Sequence, residues 1–196
     1  MPHANATHAM NPIRLAACAA LLAIAAGCAS SSLSPSALTS GQFADPARGV
    51  VLVSTGAVQR CSATAMWAPI YVGGTHELAP GRPVVPIDEP VVSAFQDHFG
   101  TVSAVSLPAG RYVITAEYAN PLFDSGRVPA YSFEVEAGQA VYIGELWRVS
   151  SCGVGSLVLR DNYDRDVALA GNLNKQFVAH PPKKALAQPL RGAPGR

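Results

Sequence analysis

The chain has little charge, no long uncharged apolar run and no basic patch in its body, and each of these absences argues against a class of protein. Only 14% of its 196 residues are charged and 49% are hydrophobic, so the chain is too apolar to be intrinsically disordered. The uncharged apolar stretch at residues 15–26 is shorter than the roughly 20 residues of a membrane-spanning helix. No basic patch interleaved with aromatic residues occurs in the body of the chain, which argues against nucleic-acid binding. We therefore expect one folded domain with a sizeable core.

The spacings of common enzyme and metal sites are also missing. His76-Glu77 has no second histidine at the HExxH spacing, and Pro80 would break the required helix. The serine of residues 153–156 lacks the spacing of a nucleophile elbow. We predict no catalytic residue, no metal site and no cofactor. The alternative is an envelope hydrolase or metal-binding protein whose site is assembled from loops near His76 and His98.

An acidic run at residues 161–166 resembles a calcium loop but fails its requirements. An EF-hand loop starting at residue 162 would have Val167 in place of the sixth-position glycine and Leu173 in place of the final glutamate. Acidic side chains instead stabilise the exposed N–H groups of a helix N-terminus. We predict one short C-terminal helix near residues 164–171.

The N-terminus has the layout of a secretion signal. Arg14 supplies a positive charge, residues 15–26 form the apolar region, and small residues follow. The segment Ala25-Ala26-Gly27-Cys28 resembles the lipobox of bacterial lipoprotein precursors, although Ala25 stands where that family most often has Leu. The resemblance predicts lipidation of Cys28.

Two alternatives to this assignment fit the sequence less well. The segment ending at Cys18 fits the same pattern but would leave an apolar region of only three residues. A buried core thiol at Cys28 conflicts with the serines that follow at once, residues 30–32. The sequence leaves open whether translation starts at Met1 or Met10.

The resemblance implies where the protein lies. Residues 1–27 would be a signal helix that is cleaved off, and Cys28 would become the first residue and carry palmitate and further acyl chains. In a two-membrane bacterium an Asp after the cysteine would retain such a protein at the inner membrane, so Ala29 implies the outer membrane. The protein would then be lipid-anchored and face the periplasm.

Composition divides the mature chain into three parts. Residues 28–47 are rich in Ser, Pro and small residues and are predicted to be a flexible tether. Residues 48–178 are predicted to be the folded domain. Residues 179–196 carry four basic residues and no acid, whereas all 13 acidic residues lie before them. We predict that this basic tail is disordered and solvated without a specific contact; the alternative is contact with anionic lipid, lipopolysaccharide or the acidic domain itself.

The body reads as all-β, because apolar residues alternate over short segments bounded by Gly and Pro. We expect the turns at 108–110 and 137–138 to close hairpins, and Val141, Ile143, Trp147 and Val149 to share a face. The predicted strands cover residues 50–54, 66–72, 101–107, 111–118, 131–136, 139–149 and 156–160. This pattern predicts a single β-sandwich of immunoglobulin-like type.

Two segments support that fold by resemblance. Residues 107–118, LPAGRYVITAEY, resemble a hairpin of transthyretin-like and carboxypeptidase-regulatory-like sandwiches. Residues 133–146 and 160–169 are similar to uncharacterised bacterial lipoproteins built on that sandwich. The resemblance implies a non-catalytic periplasmic domain and no functional residues. Because no catalytic spacing occurs in the sequence, we expect the domain to bind an unknown envelope protein or cell-wall component, or to support an assembly.

The compartment implied by the lipobox bears on the remaining cysteines. Of four cysteines, Cys18 would leave with the signal and Cys28 would be lipidated, so Cys61 and Cys152 remain. Two cysteines in an oxidising compartment usually pair. The rival interpretations, a metal pair or a catalytic thiol, lack a CxxC partner or a nearby histidine.

Non-reducing peptide mapping of protein from the envelope is expected to give one peptide that joins Cys61 to Cys152. Closing a loop of about 90 residues stabilises a fold by about 4 kcal/mol in the chain-entropy model, so Cys61→Ser should lower the unfolding free energy. Free thiols at both positions would refute the pairing.

Overall fold

The computed structural model describes residues 34–35, 38, 43–61, 66–73, 75–87, 92–118, 129–149 and 157–190. The described elements all belong to one compact unit, Leu33–Arg196. Within the described ranges the elements in chain order are β1 (Ser34–Pro35), β2 (Arg48–Ala57), β3 (Met66–Val72), β4 (Pro83–Pro86), β5 (Phe99–Pro108), β6 (Gly110–Thr115), β7 (Glu117–Tyr118), β8 (Ala130–Val135), β9 (Ala140–Arg148), β10 (Leu157–Arg160), α1 (Tyr163–Leu173), α2 (Gln176–Ala179), β11 (Lys183–Lys184) and β12 (Gln188–Pro189).

The strands form two sheets. The larger sheet has the order β1-β4-β3-β6-β8-β12, with β7 also pairing with β3. The smaller sheet has the order β10-β9-β2-β5, with β11 also pairing with β9. Most neighbours are antiparallel, but β2 runs parallel to β9, β1 to β4 and β11 to β9. The all-β prediction is confirmed.

Both sheets contribute side chains to one apolar core. Val51 and Ile143 of the smaller sheet are buried in the same cluster as Ile70, Ile114 and Phe133 of the larger sheet. Along β6, buried Tyr112 and Ile114 alternate with more exposed neighbours, as expected of a strand with one face on the core. This shared core is the packing that a β-sandwich requires.

A second apolar cluster lies on the opposite face of the smaller sheet. Val50, Leu52 and Tyr142 of this sheet pack there with Ala170 of α1 and Phe177 of α2. Helix α1 confirms the short helix predicted near residues 164–171. No helix in the described part of the chain is long and apolar enough to cross a membrane.

The two predicted hairpins are wrong. The turn at 108–110 leads from β5 in the smaller sheet to β6 in the larger one, and the turn at 137–138 leads back from β8 to β9. Gly138 has φ +72 and its N–H donates to the Arg48 carbonyl at 2.9 Å, which ties the second turn to the start of β2. Alternation predicts a strand from local sequence, but the choice of pairing partner depends on residues far away.

The predicted shared face of β9 is also wrong. The register of β9 against β2 shifts between Leu52 and Ser54, and Gly144 has φ +117. Such a bulge inserts one residue and reverses which later side chains face the core. Val141 and Ile143 remain in the core, whereas Trp147 lies on the opposite face of the sheet.

The end of the predicted tether belongs to the fold. Ser34 and Pro35 pair with Pro83 and Val84 of β4. Further on, Leu38 and Phe43 pack against the second apolar cluster. The prediction of a flexible tether over 28–47 is therefore wrong at these positions. Average composition, dominated here by Ser and small residues, does not reveal that a single apolar side chain packs against the domain. Cys28 and Ala29 lie outside the described residues.

The predicted disordered tail is folded as far as residue 190. Lys183 and Lys184 pair with β9, and Gln188 and Pro189 pair with β8. Ala187 is 3% exposed and its N–H donates to the Ile143 carbonyl at 2.9 Å. The prediction of disorder over 179–196 is wrong for this segment, because two strand edges supply backbone partners that composition does not reveal. Residues 191–196 lie outside the described ranges.

Ala187→Asp is expected to lower the unfolding free energy by about 2–4 kcal/mol, because it places a carboxylate in the core. Ala185→Asp is the matched control. Its side chain is exposed, so a change within about 0.5 kcal/mol is expected. Urea denaturation followed by circular dichroism measures both. Equal, small effects would mean that this segment is not packed in solution.

Candidate functional site

Polar and ionisable side chains collect on the outer face of the smaller sheet, where α1 begins. Four of them, on β2, β9 and α1, are completely buried, which is unusual for such residues. Those four are Ser54, Tyr142, Glu145 and Asp166, each 0% exposed. We call the whole set the ion network: Ser54, His98, Tyr142, Glu145, Asn162, Arg165 and Asp166.

Glycines make room for this network. Gly56 of β2 and Gly100 of β5 lie opposite each other. A Cβ at Gly56 would lie 2.4 Å from Cε3 of Trp147 and 2.8 Å from Oε1 of Glu145. Only a residue without a side chain fits there. The bulge at Gly144 completes the arrangement, since it turns Glu145 toward the outer face of the sheet.

Asp166 accepts more hydrogen bonds than Glu145, the other buried acid of the network. Its Oδ2 accepts hydrogen bonds from the Ser54 hydroxyl and from the Tyr142 hydroxyl, the latter at 2.7 Å, and its Oδ1 accepts one from Nε of Arg165 at 2.8 Å. Burial raises the pKa of Asp166, while these three donors oppose the shift. Burial and the nearby Asp166 charge also raise the pKa of Tyr142, so its phenol remains a donor.

Glu145 is the second buried acid and shares a cation with the first. Its Oε1 accepts a hydrogen bond from Nη2 of Arg165 at 2.6 Å, and its Oε2 accepts one from Nδ2 of Asn162 at 2.7 Å. Arg165 thus bridges Glu145 on the sheet and Asp166 on the helix. A guanidinium suits this role because its planar fork can donate to two carboxylates at once.

His98 lies at the edge of the network, between two carboxylates. Its Nδ1 is 2.7 Å from Oδ1 of Asp97 and its Nε2 is 3.3 Å from Oε1 of Glu145. The contact with His98 lowers the pKa of Asp97. The imidazole stacks on Phe95, with ring centroids 4.3 Å apart, and it also contacts Trp147. Four groups therefore surround the imidazole of His98, whose side chain is only 5% exposed.

The network contains the residue types of a hydrolase, but their arrangement does not provide the contacts of one. A nucleophilic serine needs a general base within hydrogen-bond reach, and the base needs a free ring nitrogen. Here the Ser54 hydroxyl donates to Asp166, and both nitrogens of His98 face carboxylates. Ser54 is also completely buried. What this geometry can do is hold α1 on the sheet.

The two histidines singled out in the sequence have different surroundings. His76 lies in an exposed turn after β3, whereas His98 is enclosed by the contacts above. In the described part of the chain, no group of three or more His, Cys, Asp or Glu residues could hold a metal ion.

Of the predicted modification sites, only Cys61 is among the described residues. It follows β2, is 2% exposed, and its Sγ lies 3.9 Å from the Gln59 carbonyl oxygen. Cys28 and Cys152 lie outside the described ranges. Lipidation of Cys28 and pairing of Cys61 with Cys152 therefore stay predictions.

A cavity of about 620 Å³ lies between the C-terminal segment and strands β6, β8 and β9. Val113, Val141 and Leu186 contribute to its apolar lining. Arg111 and Glu134 also line it and form an ion pair at 2.9 Å, with side chains 71% and 70% exposed. An exposed pair of this kind adds little stability. Unlike the ion network, this cavity presents its polar groups to solvent.

Sequence reasoning missed Glu145 and did not assign Asp166 to a network, although two signals existed. Glu145 is a single acid inside the apolar strand β9, directly after Gly144, and a glycine inside a strand often marks a bulge. Asp166 lies four residues before Ala170, so both lie on one face of α1. Because Ala170 is buried, that face is the one that packs on the sheet.

No protein-family model matches the chain, and a search of curated proteins finds no match.

Asp166→Ala is expected to lower the unfolding free energy by about 3–5 kcal/mol, because it leaves Arg165 without one of its buried acids and two hydroxyls without an acceptor. Asp164→Ala is the matched control. Both acids lie in the first turn of α1, but Asp164 is exposed, so its loss should cost at most about 1 kcal/mol of helix-dipole stabilisation.

Chemical denaturation monitored by tryptophan fluorescence gives both values. Similar losses in the two variants would show that the buried contacts of Asp166 do not hold the helix.

Proposed function

We propose that this protein is a lipoprotein of the outer membrane, anchored through Cys28 and facing the periplasm, whose domain binds an envelope protein or cell-wall component without catalysing a reaction. The observation that carries the binding role is a contrast between two sites. The acids and hydroxyls of the ion network are completely buried, whereas the cavity beside the C-terminal segment is open and has a mixed apolar and charged lining. Such a lining is typical of recognition sites.

The anchor is supported by the residues around Cys28. Small residues precede the cysteine, an apolar run of signal-peptide length precedes them, and no Asp follows. Each buried CH₂ of an acyl chain contributes about 0.8 kcal/mol of membrane affinity, so a single chain binds marginally and several chains bind effectively permanently.

The location also bears on the cysteines. A pairing of Cys61 with Cys152 would form in the oxidising periplasm. Cys61, one of the two cysteines, follows β2 and is buried.

One experiment in the envelope tests both the anchor and the binding role. A photoreactive benzoylphenylalanine replaces Arg111, whose side chain lines the cavity and is exposed, and cells are labelled with palmitate. We expect palmitate on the protein and, after illumination, an adduct of one defined mass. The matched control carries the same probe at Val58, which is 72% exposed and follows β2.

The anchor variants are Cys28→Ser and, as its control, Cys18→Ser. Cys28→Ser should abolish palmitate incorporation and reduce the adduct, while Cys18→Ser should change neither. Palmitate on the Cys28→Ser protein would refute the anchor. Equal adducts from position 111 and position 58, or none from either, would refute binding at the cavity.

A further inference from the structure

The chain joins the fold soon after Cys28. Strand β1 begins at Ser34, which pairs with Pro83 of β4. The next anchors are Leu38 and Phe43, which pack against the second apolar cluster. Phe43 is fixed from two sides, because its ring lies 5.1 Å from that of Phe177 and 5.5 Å from that of His180.

The connection from Cys28 to the fold is therefore short. Six residue steps separate Cys28 from Ser34, and a fully extended chain of that length spans about 20 Å. A compact domain of this size has a radius of gyration of about 15 Å and thus a diameter of about 40 Å. Even when measured to Leu38, the connection reaches about 34 Å. The connection is shorter than the domain is wide.

From this length we propose that the domain lies directly on the lipid headgroups, with the turn Ala79–Arg82 toward the membrane. The inference rests on the proposed lipidation of Cys28. Because β1 runs parallel to β4, the chain enters the fold at the start of β4, immediately beside this turn. Residues 80–82 are exposed in this turn, so they can contact the membrane surface.

The same constraint places the cavity away from the attachment point. β1 lies at one edge of the larger sheet, and β8 and β12, which border the cavity, lie at the other. Five strand spacings separate the two edges, or about 24 Å. A partner can therefore approach the cavity while the opposite edge of the domain rests on the lipid.

Val58 provides a reference position at the other end of the strands. The Thr55 hydroxyl donates to the Pro86 carbonyl at 3.2 Å, so the end of β2 is level with the end of β4. Ser34 is level with Pro83, at the start of β4. Val58 therefore lies at the end of the sandwich that points away from the entry of the chain.

The test uses the full-length lipidated protein in vesicles that contain a nitroxide-labelled headgroup lipid. A fluorophore is attached at Pro80→Cys or, as the control, at Val58→Cys. Because the nitroxide quenches only over short distances, we expect loss of fluorescence at position 80 and retention at position 58. A second variant carries a Gly/Ser insert of about 20 residues before Ser32, which adds a mean span of about 25 Å. This insert should restore the fluorescence at position 80 while palmitate incorporation continues.

The outcomes separate the two proposals. Absence of palmitate on the protein refutes the lipid anchor and, with it, the membrane contact that depends on the anchor. A palmitoylated protein with equal fluorescence at both positions refutes the membrane contact alone. Quenching at position 80 that persists after the insert would also overturn it, because the short connection would then not be its cause.

Discussion

A buried carboxylate is stable only when enough donors surround it, and Asp166 obtains them from two distant strands and from its own helix. Ser54 comes from β2, Tyr142 from β9, and Arg165 from the helix itself. Together they hold α1 on the outer face of the smaller sheet. The second apolar cluster forms between the helix and the sheet, and Leu38 and Phe43 from the N-terminal part of the domain pack against it. The polar contacts of Asp166 thus fix the position of the helix against which the second apolar cluster packs.

Much of the fold could be predicted because strands follow from local alternation. The segments that became β3, β5, β6, β8 and β9 were all recognised from apolar periodicity and flanking Gly or Pro. Their partners were not, because a turn such as 137–138 can close a hairpin or carry the chain to another sheet with the same residues. Gly138 adopts φ +72 and bonds to Arg48, which lies 90 positions earlier. Contacts at that separation leave no local pattern.

The ion network was harder to predict than the fold. His98 and the acidic run were noticed, but their roles depend on Glu145, whose direction is set by a single extra residue in β9. Without the bulge at Gly144, Glu145 would face the apolar core and no partner could reach it. Small polar residues such as Ser54 also gave no signal, because a serine in a strand is common on any exposed face. Prediction failed where one backbone irregularity controls several side chains.

The C-terminal segment has a consequence for how this protein behaves at high density. Strand edges expose unpaired backbone groups, which can pair with the strand edge of another molecule. β11 lies along the edge of β9 and β12 along the edge of β8, so one short segment covers an edge of each sheet. Pro182 precedes β11 and Pro189 belongs to β12, and neither can donate a backbone hydrogen bond to a further strand. By covering these edges, the segment leaves fewer backbone groups through which neighbouring molecules could pair and aggregate.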